Sequence, residues 1–255
     1  MNFNFILSML LITVAGLSTV IGSFLIFISK NKSHKKLGFL LGLASGIMLC
    51  ICIKELLPEA EEILSGVYSY PTSSLIMVGA LLFGFILSII LDRLLHHHDE
   101  EEHHDEHCQM CNVGITTAAT MALHKIPEGI AIFIAIYDNS LVAVPLALAI
   151  AIHHIPEGMI ISAPIYYATG DKMKAILYSL ASGLVLPVSG ILGFLFLQPL
   201  FNDTIEGILL AVTSSIMFYI TFKEIMPQSL KYGNKRTTVF AIIFGIIFIY
   251  LLGLL

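Results

Sequence analysis

One six-residue pattern occurs twice in the chain, each time inside a long apolar run. It reads HKIPEG at residues 124–129 and HHIPEG at residues 153–158. Residues four apart share one face of a helix, so each copy places a histidine beside a glutamate. Ionisable side chains are costly inside an apolar span and usually face a bundle interior or a cavity. The repeat therefore predicts a cation site made of His124, Glu128, His153 and Glu157.

Two imidazoles and two carboxylates suit a borderline divalent ion. Zinc matches this set of nitrogen and oxygen ligands, and iron, manganese and cadmium are tolerated by it. The carboxylates also balance the charge of the ion, which lowers the cost of holding it away from water. The site favours transmembrane transport of such an ion, with the ion as substrate and no resident cofactor.

Two other functions remain open from the residues alone. An intramembrane zinc-dependent hydrolase would bind zinc through the histidines and use Glu128 or Glu157 as general base, although the chain lacks the His-Glu-x-x-His signature. A metal-sensing membrane receptor would read occupancy through a cytoplasmic loop. Because two symmetrical carboxylates cancel the charge of an ion, they favour carriage over catalysis, and we predict that the protein is not an enzyme.

The composition indicates an all-α polytopic membrane protein. Hydrophobic residues make up 57% of the chain, charged residues 12%, and the mean hydropathy is +0.90. Continuous apolar runs of this length are too long for the alternating strands of a barrel. At about 20 residues per span, the sequence predicts eight transmembrane helices, at about 4–29, 38–57, 74–95, 113–136, 141–163, 175–197, 204–227 and 237–254.

The distribution of Lys and Arg predicts the orientation. Basic residues follow the first, fifth and seventh spans and end the third, whereas the loops at about 58–73, 137–140 and 198–203 and both termini contain none. By the positive-inside rule both termini lie outside a cell membrane. The chain contains no basic patch or nucleic-acid motif. The expected partners are therefore a divalent metal ion and the lipid bilayer, and not nucleic acid.

A second pair of motifs indicates an inverted repeat. The sequence KELLPE closes the predicted second helix at 54–59, and KEIMPQ closes the seventh at 223–228. These two helix ends lie on opposite faces of the membrane, as expected if helices 1–3 are repeated in inverted form as helices 6–8, in a 3+2+3 arrangement. The alternative is that Lys-Glu-x-x-Pro is only a helix-end signal. The two central motifs fall near the bilayer midplane, where inverted-repeat transporters bind substrate.

Residues 96–112 are predicted to be a disordered cytoplasmic loop, because this low-complexity stretch cannot form a core. The loop favours weak, rapidly exchanging metal capture, with a solvated charged linker as the alternative. Its potential metal ligands are His96, His97, His98, His103, His104, His107, Cys108 and Cys111.

These motifs resemble those of the Zrt/Irt-like (ZIP) metal transporters. The fourth helix of that family typically reads His-Asn-x-Pro-Glu-Gly and the fifth His-His/Asn/Asp-x-Pro-Glu-Gly. The motifs at 54–59 and 223–228 and the His-rich loop are also similar to family features, so the resemblance covers essentially the whole chain. It implies an eight-helix 3+2+3 bundle, commonly a homodimer, that moves divalent cations toward the cytosol by elevator-type alternating access.

The chain departs from that family at two positions that bear on the number of metals. Bacterial members often hold a second ion with the residues equivalent to 125 and 154 and a glutamate in a Ser-Gly-Leu-x-Glu-Pro motif. Here position 125 is Lys125, and Leu186 stands in the place of that glutamate. We expect a single metal, with the Lys125 ammonium substituting for the second ion. His154 is then either an auxiliary ligand or a bystander.

Overall fold

Helices account for nearly all of the chain that the structure describes. The computed structural model describes residues 3–28, 33–96, 106–138, 143–197, 200 and 202–252, and these contain no strand. Their α-helices are α1 (Phe3–Ile28), α2 (His34–Ile51), α3 (Leu57–Val67), α4 (Thr72–His96), α5 (Glu106–Asp138), α6 (Ala143–Thr169), α7 (Lys172–Leu197), α8 (Asp203–Ile220), α9 (Met226–Tyr232) and α10 (Lys235–Leu252). The expected all-α class is confirmed for these residues.

Six helical segments of the described chain are long and apolar enough to cross a bilayer: Phe3–Ile28, His34–Val67, Thr72–Leu94, Gly114–Tyr137, Lys172–Phe196 and Asp203–Tyr232. Continuous apolar runs take this form in lipid because a helix satisfies its own backbone N–H and C=O groups. The protein is therefore a multi-pass membrane protein. Helices α6 and α10 are not among the six segments, and the count of eight spans stays a prediction.

The second helix extends well beyond its expected end near residue 57. A five-residue π-helical turn, Cys52–Leu56, joins α2 to α3, and the helix continues to Val67. Pro58 lies in the first turn of α3, where its missing N–H costs least. A second π-helical turn, Thr221–Ile225, joins α8 to α9 in the same way, and Pro227 lies in the first turn of α9. The Lys-Glu-x-x-Pro motif thus marks a π-helical turn in a continuing helix, and the expectation that it ends the helix was wrong.

The His-rich stretch lies mostly outside the described residues, which resume at the start of α5. This helix begins at Glu106, whereas the sequence predicted a start near residue 113. Of the eight predicted loop ligands, Cys111 is the one whose side chain is described. Its sulfur lies 3.6 Å from the Lys174 ammonium at the start of α7.

The helices pack as two groups. Helices α1, α5, α6 and α7 contact one another and are called here the site bundle. Helices α2, α3, α4, α8, α9 and α10 form the second group, called here the frame bundle. The two bundles meet chiefly where α2 packs on α6 and where α5 packs on α8.

Glycines allow the closest helix contacts inside each bundle. A Cβ added at Gly22 would lie 2.1 Å from the carbonyl oxygen of Ile155, within the site bundle. A Cβ at Gly46 would lie 2.1 Å from the carbonyl oxygen of Ile242, within the frame bundle. Among the described glycines, each one whose added Cβ would clash with a neighbouring helix has that helix in its own bundle. Each bundle is therefore more tightly joined internally than it is to its neighbour.

Candidate metal centre

Helices α5 and α6 pack side by side and bring the two copies of the motif together. His124 of α5 contacts Glu157 of α6, and Glu128 of α5 contacts His153 of α6. This crossed pairing is the one that two antiparallel helices carrying the same motif produce. All four side chains are at most 3% exposed. The structure therefore gathers the four residues that the sequence selected into one buried cluster.

The distances within the cluster match hydrogen bonds between imidazole and carboxylate. His153 Nε2 lies 2.8 Å from Glu128 Oε1, and His124 Nε2 lies 3.2 Å from Glu157 Oε1. His124 Nε2 is also 3.8 Å from Glu128 Oε2, so the two pairs are contiguous. Metal binding requires an imidazole nitrogen without its proton. An ion bound here would replace these hydrogen bonds with ligand bonds to the same nitrogen and oxygen atoms.

Lys125 supplies a positive charge inside the cluster. Its side chain is fully buried, and its ammonium donates a hydrogen bond to Glu157 Oε2. The lysine thus pairs with the glutamate of the neighbouring helix, although Glu128 lies only three positions along its own helix. A buried charge is tolerated when it is paired and hydrogen-bonded. The Ser189 hydroxyl also donates to the Lys125 carbonyl oxygen at 3.1 Å, which ties this part of α5 to α7.

His154 lies within the same cluster. Its Nε2 is 3.5 Å from Glu128 Oε2 and 3.6 Å from Glu157 Oε2, and its ring contacts that of His153 in a tilted arrangement with 4.5 Å between centroids. Glu128, His153 and His154 each offer a ligand atom, and these atoms lie within 4.8 Å of one another. His154 is therefore placed where it could act as an additional ligand of an ion bound by Glu128 and His153.

The last residue of each motif explains how the glutamates are positioned. A Cβ at Gly158 would lie 1.7 Å from the carbonyl oxygen of Thr19 in α1, and a Cβ at Gly129 would lie 2.4 Å from that of Leu186 in α7. Only glycine permits such an approach of two backbones. The helices beside α5 and α6 therefore press directly against the residue that follows each glutamate.

Leu186 occupies the position at which the Ser-Gly-Leu-x-Glu-Pro motif has its glutamate. Its side chain is fully buried in an apolar cluster that includes Ile12, Ala15 and Phe133. Position 186 of α7 therefore provides packing and no carboxylate.

The structure also shows a cavity that the sequence analysis missed. Glu128 and His153 line its inner end, and Glu55, Glu59 and Glu206 contribute to its walls. Glu55 and Glu59 belong to the KELLPE motif, which the sequence analysis interprets only as one copy of a repeat. Glu206 carried no signal in the sequence, because its place beside the other two depends on how α8 packs against α3.

A buried cluster of histidine and glutamate inside a multi-pass helical protein defines an intramembrane cation-binding protein. Comparison with known proteins narrows this class. A family model described as "ZIP Zinc transporter" matches residues 4–113 and 96–253. The chain belongs to this family, whose members are transporters of divalent metal and not enzymes.

Individual relatives cover almost the full length of the chain. It is similar to "Zinc transporter ZupT" of Streptococcus mutans, at 34% identity over 97% of this chain and 96% of the relative. The proteins with the same description from Clostridium perfringens and Oceanobacillus iheyensis are 34% and 35% identical. Those matches cover 96% and 95% of this chain, and 94% and 95% of the respective relatives.

Proposed function

We propose that the protein carries one divalent transition-metal ion across the cell membrane toward the cytosol, with zinc preferred over iron, manganese and cadmium. The observation that carries this proposal is the buried cluster of His124, Glu128, His153 and Glu157 on two adjacent helices. Two imidazoles and two carboxylates complete the four-coordinate set that zinc prefers. The relatives described as zinc transporters support zinc as the substrate.

The charge of the cluster supports a single ion. With neutral imidazoles, the two carboxylates and the Lys125 ammonium leave one net negative charge among fully buried groups. One divalent ion turns this into one net positive charge, whereas a second ion would add two more positive charges to a buried site. Burial of uncompensated charge is strongly unfavourable. The Lys125 ammonium therefore takes the role of a second ion, and His154 remains available as an auxiliary ligand.

The packing of the helices supports alternating access by movement of one bundle against the other. All of the proposed ligands belong to α5 and α6 of the site bundle, and the tight glycine contacts lie within bundles. A body joined more tightly inside than to its neighbour is suited to rigid-body displacement. The site bundle would carry the ion past the frame bundle and release it on the cytoplasmic side.

The inverted 3+2+3 arrangement of eight spans, with both termini outside, belongs to the same proposal. The two Lys-Glu-x-x-Pro motifs adopt the same local structure, a π-helical turn followed by an α-helix with proline in its first turn. This similarity supports an inverted repeat in which the predicted spans 1–3 correspond to the predicted spans 6–8. A homodimer and a His-rich cytoplasmic segment between α4 and α5 that captures metal complete the proposed architecture.

Uptake of radioactive zinc into proteoliposomes tests the proposal. We expect saturable uptake by the wild-type protein, inhibited by other divalent transition metals, and loss of uptake in Glu128→Gln and Glu157→Gln. Both substitutions keep side-chain size and remove one ligand charge. Tight zinc binding without movement across the bilayer would contradict the proposal and favour a metal-sensing receptor.

A further inference from the structure

Three carboxylates surround the cavity that leads to the metal centre. Glu55 lies in the first π-helical turn, Glu59 in the first turn of α3, and Glu206 in the first turn of α8. All three line the same cavity as Glu128 and His153. A cavity volume of about 40 Å³ admits water. A cation that enters this space from its exposed side would meet acidic side chains before it meets the buried ligands.

The inner end of the cavity offers lone pairs for an incoming ion. Glu128 is 1% exposed and its Oε2 atom has no hydrogen-bond partner. His153 is 3% exposed and its Nδ1 atom also has none. Both residues line the cavity, so the carboxylates of its walls and two ligands of the metal centre share one space.

The basic residue that neighbours Glu55 in the chain is directed away from the cavity. Lys54 precedes Glu55 in the chain, but its ammonium lies 4.2 Å from the centre of the Tyr250 ring on α10. This cation–π contact holds the positive charge against a different helix. No Lys or Arg is among the described residues that line the cavity. Its electrostatic potential is therefore negative, which concentrates cations.

The repeated motif differs between the two proposed faces of the membrane. Its sixth residue is Glu59 in the first copy and Gln228 in the second. If the copies occupy opposite faces, the outer one carries a carboxylate where the inner one carries an uncharged amide. An outer site that collects cations would raise the occupancy of the carrier from that face at low outside concentrations of the ion.

We propose that Glu55, Glu59 and Glu206 form an outer collecting site for hydrated divalent cations, distinct from the His/Glu centre and preceding it in transport. The proposal rests on the proposed function, because it needs an ion that moves from the cavity to that centre. Since its ligands are all oxygen atoms, this site also accepts hard ions such as magnesium and calcium. Discrimination in favour of zinc then belongs to the imidazoles of the inner centre.

Initial rates of radioactive zinc uptake test this proposal in intact bacterial cells that lack their own zinc importers, because only the outer face then meets the isotope. We compare the wild type with Glu59→Gln and Glu206→Gln. Glu61→Gln is the matched control, since Glu61 is an exposed acid of the same helix α3 and does not line the cavity. Glu59→Asp keeps the charge and tests rescue.

We expect KM for zinc to rise about three- to tenfold in each cavity variant, in line with the loss of one steering charge, while kcat changes less than about twofold. Millimolar magnesium should inhibit wild-type uptake more strongly than uptake by the cavity variants. Glu61→Gln and Glu59→Asp should behave as wild type. Cavity variants that match Glu61→Gln in KM and magnesium sensitivity would overturn the proposal, and so would a loss of kcat alone. Failure of the proposed function would instead appear as uptake that survives Glu128→Gln.

Discussion

Replacement of Lys125 by methionine should tighten zinc binding while it destabilises the metal-free protein. The ammonium and Glu157 form a fully buried ion pair, and loss of one partner of such a pair costs about 3–5 kcal/mol. In Lys125→Met the Glu157 carboxylate keeps only its imidazole neighbours, at 3.2 Å for His124 and 3.6 Å for His154. Zinc would restore the missing positive charge. If it recovers roughly half of the lost energy, its affinity rises on the order of 10- to 100-fold.

The assay is titration of purified protein with zinc in competition with a chelator, combined with thermal unfolding at zero and saturating zinc. Lys125→Met should show a lower midpoint without zinc and a larger upward shift with zinc than the wild type. Lys125→Arg keeps the charge and serves as the control, with affinity close to that of the wild type. A folded Lys125→Met protein that binds zinc with unchanged or weaker affinity would refute the idea that the ammonium substitutes for a metal.

Three further predictions concern packing, pH and the loop. Gly158→Ala should lower the free energy of unfolding in detergent by about 3 kcal/mol or more, because the added Cβ would overlap the Thr19 carbonyl. Gly79→Ala is the control and should change that free energy little, since no heavy atom lies within 4 Å of its added Cβ. Equal effects of the two substitutions would contradict the close contact between α1 and α6. Zinc uptake should fall as the outer medium is acidified, because protons compete with zinc for imidazole and carboxylate, and a rate that does not change with pH would count against ligand exchange as the limiting step. Deletion of residues 97–105 should leave uptake measurable in proteoliposomes, since the proposed ligands all lie in α5 and α6, and complete loss of uptake would assign the loop a required role.

The buried cluster could be predicted from the sequence because its information is local. A histidine and a glutamate four apart share a helix face whatever the rest of the fold does, and the repetition of the motif, at all but its second position, implied a pair of facing helices. The all-α class followed from apolar runs that are too long for strands. The partner of Lys125 could not be predicted in this way. It depends on the relative rotation of α5 and α6, which places the ammonium on Glu157 of the neighbouring helix.

Features that depend on packing between distant segments were missed. Glu206 is separated from Glu55 by most of the chain, and only the packing of α8 against α3 brings both to one cavity. The sequence predicts that the second helix ends near residue 57, just before Pro58, and proline removes a backbone donor and crowds the preceding turn. The structure accommodates it with a π-helical turn, which leaves the helix continuous to Val67. No local rule distinguishes these two outcomes, since both satisfy the same steric constraint.

The most direct test of one ion bound between α5 and α6 is anomalous diffraction from crystals of the zinc-loaded protein at the zinc absorption edge. The account predicts a single strong peak, about 2.0–2.2 Å from imidazole nitrogen and carboxylate oxygen atoms of His124, Glu128, His153 and Glu157, with the Lys125 ammonium still beside Glu157. Two strong peaks within this cluster would contradict the single-ion site. A peak elsewhere in the membrane-spanning region, with these four side chains unliganded, would contradict the assignment of the site itself.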